Sequence, residues 1–144
     1  MTVFRISTTK EDLDVPLIHS FLTNHSGWAR DISLSVVERS IESSLCFGGF
    51  VDGYQVAFAR VVSDYATFAN LVDVFVLPEH RGNGYSKILI GAVLGHSQLQ
   101  NLRRFTLATA DAHKLYEQFG FTAPLNPGSL MERYNPGVYA ATAL

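Results

Sequence analysis

The residues with the clearest chemical purpose lie in one run, Val74-Phe75-Val76-Leu77-Pro78-Glu79-His80-Arg81-Gly82-Asn83-Gly84-Tyr85-Ser86. An apolar stretch of strand character enters a glycine-rich turn, and an apolar repeat at helical spacing begins at Gly84 or Tyr85. A helix amino terminus exposes unpaired N–H groups and carries about half a positive charge, while glycines let the turn curl around phosphate oxygens without a Cβ in the way. Arg81 adds a permanent cation at the same place. The spacing predicts an anion site.

What the loop lacks narrows the anion. No Lys-Ser/Thr pair closes it, as a P-loop requires, and Lys87 stands where a dinucleotide fingerprint would carry its third glycine. Neither nucleoside triphosphate hydrolysis nor a Rossmann-type site is supported. Taken alone, the two glycines fit equally well a turn that only redirects the chain.

The run resembles the acetyl-CoA loop of the GNAT superfamily of N-acetyltransferases, V-x-P-x-x-[RQ]-x-x-G-x-[GA]. Val76, Pro78, Arg81 and Gly84 match, and Ser86 replaces the last small residue. A second block, Ala112-His113-Lys114-Leu115-Tyr116-Glu117-Gln118-Phe119-Gly120-Phe121, is similar to the family's A-x-x-L-Y-x-x-x-G-F helix and following strand. The resemblance covers most of the chain, residues 4–134, with its specific motifs confined to these two blocks. It implies an α/β (α+β) fold with a mixed, mainly antiparallel central sheet flanked by about four helices. It also implies acetyl-CoA as co-substrate, no metal, and transfer to a primary amine by direct attack in a ternary complex.

By the same resemblance, Arg81, Gly82, Asn83, Gly84, Tyr85 and Ser86 would bind the CoA pyrophosphate, and Val74, Phe75 and Val76 would line the pantetheine. A backbone N–H in that stretch would polarise the thioester carbonyl. Thr109 stands where the family commonly has asparagine, so a pantetheine hydrogen bond is either made by Thr109 or lost. Asp111 is expected at the same cofactor surface and as a cap for the helix that follows.

Amine acetylation needs a deprotonated amine, a polarised thioester and a protonated leaving thiolate. The resemblance points to Tyr116 as the acid, its phenol pKa near 10 being close enough to that of a thiol for proton transfer. Asp73 is the expected base, with Asp64 or a water relay as alternatives; strand alternation turns Asp73 away from Val74 and Val76 unless the strand bulges. The resemblance implies that the acceptor meets Trp28 and Arg30 in the polar loop after the first helix, Tyr65 in the turn before the 67–77 strand, and residues 125–139. Trp28 either anchors its loop on the core or forms an apolar wall, and Arg30 could hold a carboxylate. Cys46, the only cysteine, lies in an apolar run and reads as a small buried hydrophobe, which gives little support to a cysteine-acyl route. The histidines show no metal-ligand spacing.

These residues need a scaffold, and the patterning supplies one. Residues 4–8 alternate as a short strand; Asp12 or Asp14 caps a helix with Leu17, Ile18, Phe21 and Leu22 on one face, and Ser33 or Ser35 starts a second helix. Asp52-Gly53 joins two strand runs as a hairpin, and residues 67–77 form a third long strand closed by Pro78. A helix over residues 85–98, a strand over 105–108, a helix over 111–119, an extended segment from Phe121 and a last strand over 130–134 complete the order.

At 144 residues the chain is expected to form one domain, 1–144, able to bury roughly two-thirds of its unfolded surface. Eleven basic against thirteen acidic side chains, without a basic cluster, argue against nucleic acid as partner. No signal-like or membrane-spanning apolar run is present, so the reading is soluble, cytoplasmic and without a membrane partner. The expected acceptor is a small-molecule amine, and Tyr134, Val138 and Tyr139, expected to be exposed, offer a contact for a homodimer. Two rivals are a CoA-responsive binding or regulatory module without transfer activity and a glycine-loop domain for another phosphorylated ligand.

Overall fold

The computed structural model describes residues 2–141. The chain runs β1 (Phe4–Ser7), α1 (Val15–His25), α2 (Leu34–Glu42), β2 (Leu45–Val51), β3 (Tyr54–Ser63), β4 (Phe68–Val76), α3 (Tyr85–Leu94), β5 (Arg104–Leu107), α4 (His113–Glu117) and α5 (Val138–Ala141). The Asp14 carboxylate accepts the Leu17 N–H at 3.1 Å and the Ser33 hydroxyl accepts the Val36 N–H at 3.3 Å. Each of the first two helices therefore starts where a short polar side chain satisfies an orphan donor. Asp52 and Gly53 both have positive φ, 52° and 82°, as a two-residue hairpin turn with the twist of its strands requires.

The sheet has the order β1-β2-β3-β4-β5, antiparallel throughout except for the parallel pair β4–β5, which α3 connects. This is the mixed, mainly antiparallel sheet expected from the sequence. Both of its faces are buried. On one, Phe47, Val61, Leu71 and Val76 pack with Leu89, Ile90 and Val93 of α3 and with Tyr116 of α4. On the other, Cys46, Phe58 and Phe75 pack with Ile18, Phe21 and Leu22 of α1 and Val37 and Ile41 of α2. β2 is buried along nearly its whole length, because helices cover it on both sides.

Burial also fixes the chemistry of Cys46, whose thiol is pushed up to about 11, chiefly by desolvation. The folded value lies above the unfolded one, so the stability gained from a neutral buried thiol is full below about pH 9 and is lost as pH rises towards 11. Ellman's reagent at pH 8 is expected to leave the native protein unlabelled and to label it once guanidinium unfolds it; rapid native labelling would contradict this packing.

Four expectations about elements are corrected. No strand forms after Phe121 or over residues 130–134 among the described residues; a 3-10 turn, Pro127–Ser129, and irregular chain take their place. Pro124, Pro127 and Pro136 remove ladder donors, and residues 122–138 are exposed with nothing to pair against. α3 ends at Leu94 rather than near Gln98, because the Gly95 N–H closes on the Gly91 carbonyl and the chain restarts as a 3-10 turn, Ser97–Leu99. Asp111 does not cap α4: Ala112 is the cap, and its N–H goes to the Thr109 hydroxyl at 3.0 Å.

Candidate active site

β4 pairs with β5 only from Phe68 to Leu71, opposite Arg104 to Leu107. Beyond Leu71 the chain after β5 departs, and the β4 edge from Val72 to Val76 is left open on that side, while its other edge stays paired with β3 as far as Val76. An unpaired strand edge offers N–H and C=O groups to an extended ligand. Val74, Phe75 and Val76 lie on this open stretch.

The loop that follows is built from its own residues. Pro78–His80 makes one 3-10 turn, Gly82 and Gly84 take φ of 82° and 78°, and α3 begins with no side-chain cap. The first bond into the helix runs from the Ile88 N–H to the Gly84 carbonyl, so the N–H groups of Tyr85, Ser86 and Lys87 precede the ladder. A Cβ built on Gly82 or Gly84 would meet nothing within 4 Å, so the glycines are there for their backbone geometry and face open space. The Arg81 Nε–H donates to the Val76 carbonyl at 2.9 Å, and the Asn83 amide donates to the His80 carbonyl at 3.0 Å; these two side chains brace the turn. The Tyr85 ring stacks on Phe4 at 4.1 Å, which ties α3 to β1 and leaves the N–H as the group Tyr85 offers at the helix start.

A cavity of about 230 Å³ opens here, lined by Val76, His80, Arg81, Ser86, Lys87 and Leu115 among others. Leu115 belongs to α4, so the two sequence motifs meet at one cavity. His80 and Lys87 line this cavity and are not among the residues expected from the sequence to bind there. Lys87, in the first turn of α3, puts a cation beside the free N–H groups.

Tyr116, also on α4, is buried, its ring set edge-on to Phe121 at 5.9 Å. Its hydroxyl bonds to no described residue, yet no fully buried side-chain oxygen lacks a partner, so the hydroxyl keeps a path to solvent. Desolvation raises its pKa, which holds the phenol protonated through neutral pH. Thr109 meets the same helix through its bond to the Ala112 N–H, and Asp111 is exposed beside it.

The expected acceptor residues separate into two groups. Asp73 sits in a bulge: Phe58 pairs with Phe75 and Arg60 with Val72, so Asp73 and Val74 together oppose Ala59, and Asp73 has φ of 54°. Its carboxylate accepts the Trp28 indole N–H at 2.9 Å on one oxygen and the Arg60 Nε–H at 2.8 Å on the other. Trp28 is thus brought to the open part of β4, and Arg30 lies exposed in the same loop.

Tyr65 is not brought there. Its turn lies at the closed end of the β4–β5 pair, before Phe68, which is itself roughly 17 Å of extended strand from Asp73. Asp64 in the same turn accepts the N–H groups of Ala66, Thr67 and Phe68 and the Thr67 hydroxyl, which hold its carboxyl well below the usual range and leave it unfit as a base. In the carboxy-terminal segment, Tyr134 and Val138 are exposed, whereas Tyr139 is half-buried against the α1–α2 cluster, where the sequence reading had it exposed. A second cavity, of about 510 Å³, lies between α1 and the loop, lined by Leu17, Phe21, His25, Leu77 and Glu79, and shares Arg81 with the first.

Residues 15–121 match the model of the acetyltransferase (GNAT) family. A crystal structure of a protein from Xanthomonas campestris pv. campestris assigned to that family is 64% identical, covers 96% of this chain and 97% of its own, and superposes with a TM-score of 0.94. A protein of Gibberella zeae described as an acetyltransferase is 28% identical over 78% of this chain and 75% of its own length. A structure from Clostridium acetobutylicum, crystallised with acetyl-CoA, has a TM-score of 0.68 over 93% of this chain and 96% of its own; at 14% identity it shows the shared fold alone. With a match over that much of the chain, and with both motif blocks at one cavity, the chain belongs to the GNAT family of acetyltransferases.

Proposed function

We propose that the chain transfers an acetyl group from acetyl-CoA to the primary amine of a small molecule, by direct attack in a ternary complex. The observation that carries this reading is the meeting of the glycine loop and the Tyr116 helix beside the open edge of β4. The free N–H groups of Tyr85, Ser86 and Lys87, with the Lys87 and Arg81 cations, suit a pyrophosphate. The open β4 backbone suits an extended pantetheine, and an N–H between Val74 and Val76 would hold the charge that develops on the thioester oxygen. As the amine nitrogen bonds to the carbonyl carbon, the C–S bond breaks; the Tyr116 hydroxyl gives its proton to the leaving sulfur, and the proton shed by the amine nitrogen passes through water to restore the phenol.

The test is a melting curve with saturating acetyl-CoA, with ATP and NADH as controls, followed by an amine panel read as CoA release. Ligand at about a hundred times its Kd adds about 2.7 kcal/mol, a shift of several degrees in a domain of this size. A shift confined to acetyl-CoA, with CoA released by at least one amine, is expected. An equal shift with ATP would reduce the loop to a general anion site, and binding without release to any amine would favour a non-transferring, CoA-responsive module.

A further inference from the structure

We propose that Arg60 and Asp73 are positioning residues that latch the Trp28 indole beside the open edge of β4, and that Trp28 is the wall selecting primary amines with an apolar, flat or aliphatic body. The amine-selecting half of this rests on the transfer reading above; the latch itself does not.

The latch joins four separate segments through one carboxylate and one guanidinium. Trp28, in the loop between α1 and α2, and Arg60, on β3, donate to different oxygens of Asp73 in the β4 bulge. A second guanidinium nitrogen of Arg60 donates to the Ser44 hydroxyl, at the junction of α2 and β2, at 3.0 Å. The Arg60–Asp73 pair is the only ion pair among the described residues, with side chains 18% and 10% exposed. Pairs so placed contribute geometry, because each partner left alone would be a poorly solvated charge.

Trp28 is different: 55% of it is exposed although its N–H is fully used. Its loop is held from behind as well. The Ser26 hydroxyl donates to the Leu22 carbonyl and accepts the Ala29 N–H, and the His19 ring donates to the Ile32 carbonyl. An indole ring pinned at its polar edge and open on its face is a pre-ordered apolar surface that binds without ordering cost at that side chain.

The bulge explains why the latch lies at the reacting edge. Leu71 and Val74, three residues apart, both pack on the α3–α4 cluster, so the extra residue shifts the alternation, and Asp73 joins Arg60 and Phe75 on the α1–α2 face. It does so two residues past the point where β4 and β5 stop pairing. A base at this position would have to take a proton onto a carboxylate whose two oxygens already accept, leaving Arg60 without its anion. The geometry favours a clamp.

Trp28 is the only tryptophan, so intrinsic fluorescence reads the latch without any substrate. Asp73→Ala, which removes both acceptor oxygens, is expected to lower the steady-state anisotropy and raise the acrylamide quenching constant about twofold, the freed side chain sampling more of its rotamers. Unchanged fluorescence overturns the latch whatever amines are acetylated. Should Asp73→Ala not fold, Arg60→Met, which removes the guanidinium that fixes the carboxylate, gives the same readout.

Kinetics then test selection. Trp28→Phe keeps a ring and removes the donor; it is expected to raise KM for an aralkyl amine at least about fivefold, with kcat and the acetyl-CoA KM within about twofold. Asp73→Ala should match it, and the double variant should be no worse than either alone. Loss of kcat and of its acidic pH limb in Asp73→Ala, with Trp28→Phe silent, would overturn the proposal in favour of a base, and an unchanged preference among amines in Trp28→Phe would overturn the selecting wall.

Discussion

Tyr116→Phe is expected to lower kcat on the order of 10–100-fold while the KM for acetyl-CoA stays within about twofold. The variant is a clean one for a structural reason. The ring retains its place against Phe121 and the α3–α4 cluster, and the missing hydroxyl had no protein partner to orphan. Melting temperature at neutral pH should therefore hold, and the lost rate reports proton transfer rather than folding. The pH behaviour has a definite sign. Burial raises the phenol above its ordinary value of 10.0, so the acid is fully protonated at neutral pH and its contribution to rate fades only as pH climbs through the folded value. Stability follows the same direction: the neutral buried phenol contributes below pH 10, and that contribution is lost above it, where the phenylalanine variant loses nothing. CoA release under saturating substrates is the measurement, and an unchanged kcat would remove Tyr116 from the chemistry.

Gly84→Val is expected to weaken acetyl-CoA binding about a hundredfold or more. At a ligand concentration that gives wild type about 2.7 kcal/mol of stabilisation, a hundredfold loss leaves about 0.4 kcal/mol, so the thermal shift all but vanishes. The backbone at φ of 78° costs a β-branched residue about 1–2 kcal/mol, and the unliganded variant should melt a few degrees lower. That cost alone does not explain lost binding, and Gly53→Val separates the two effects. Gly53 has φ of 82° and equally open space around its Cβ position, but it sits in the β2–β3 hairpin away from the loop. Comparable melting loss with intact acetyl-CoA binding is expected there. If both variants bind alike, the space at Gly84 is not where the ligand sits.

What could be read in the sequence is what local chemistry determines. Asp14 and Ser33 as caps, Asp52-Gly53 as a hairpin turn, and the passage from strand through Gly82 and Gly84 into a helix all rest on residues within a few positions of one another. The parts that were not legible depend on distant partners. Trp28 and Asp73 are 45 positions apart and Arg60 and Asp73 are 13, so no spacing announces the cluster. The bulge adds one residue to β4 only in relation to β3, and nothing in Leu71-Val72-Asp73-Val74-Phe75 marks it beyond an aspartate, a residue that tolerates positive φ. Residues 130–134 carry enough apolar alternation to suggest a strand, but a strand needs a neighbour, and the described chain offers it none. His80 and Lys87 were legible in principle, since both lie in the motif run or one residue beyond it.

The sheet has a consequence for how such an enzyme can change. The glycine loop and Tyr116 belong to the side packed by α3 and α4, whereas Trp28 and its latch belong to the side packed by α1 and α2; the buried residues of the two apolar clusters differ, and Leu77 packs against both. Substitutions in distant, unshared clusters act nearly additively on stability. Diversity introduced into α1, α2 and the loop between them can therefore sample new acceptors without eroding the half that holds the donor. The sheet works as a partition between an inherited module and an adjustable one, which meet at the gap beside β4 and again where α1 faces the Arg81 loop.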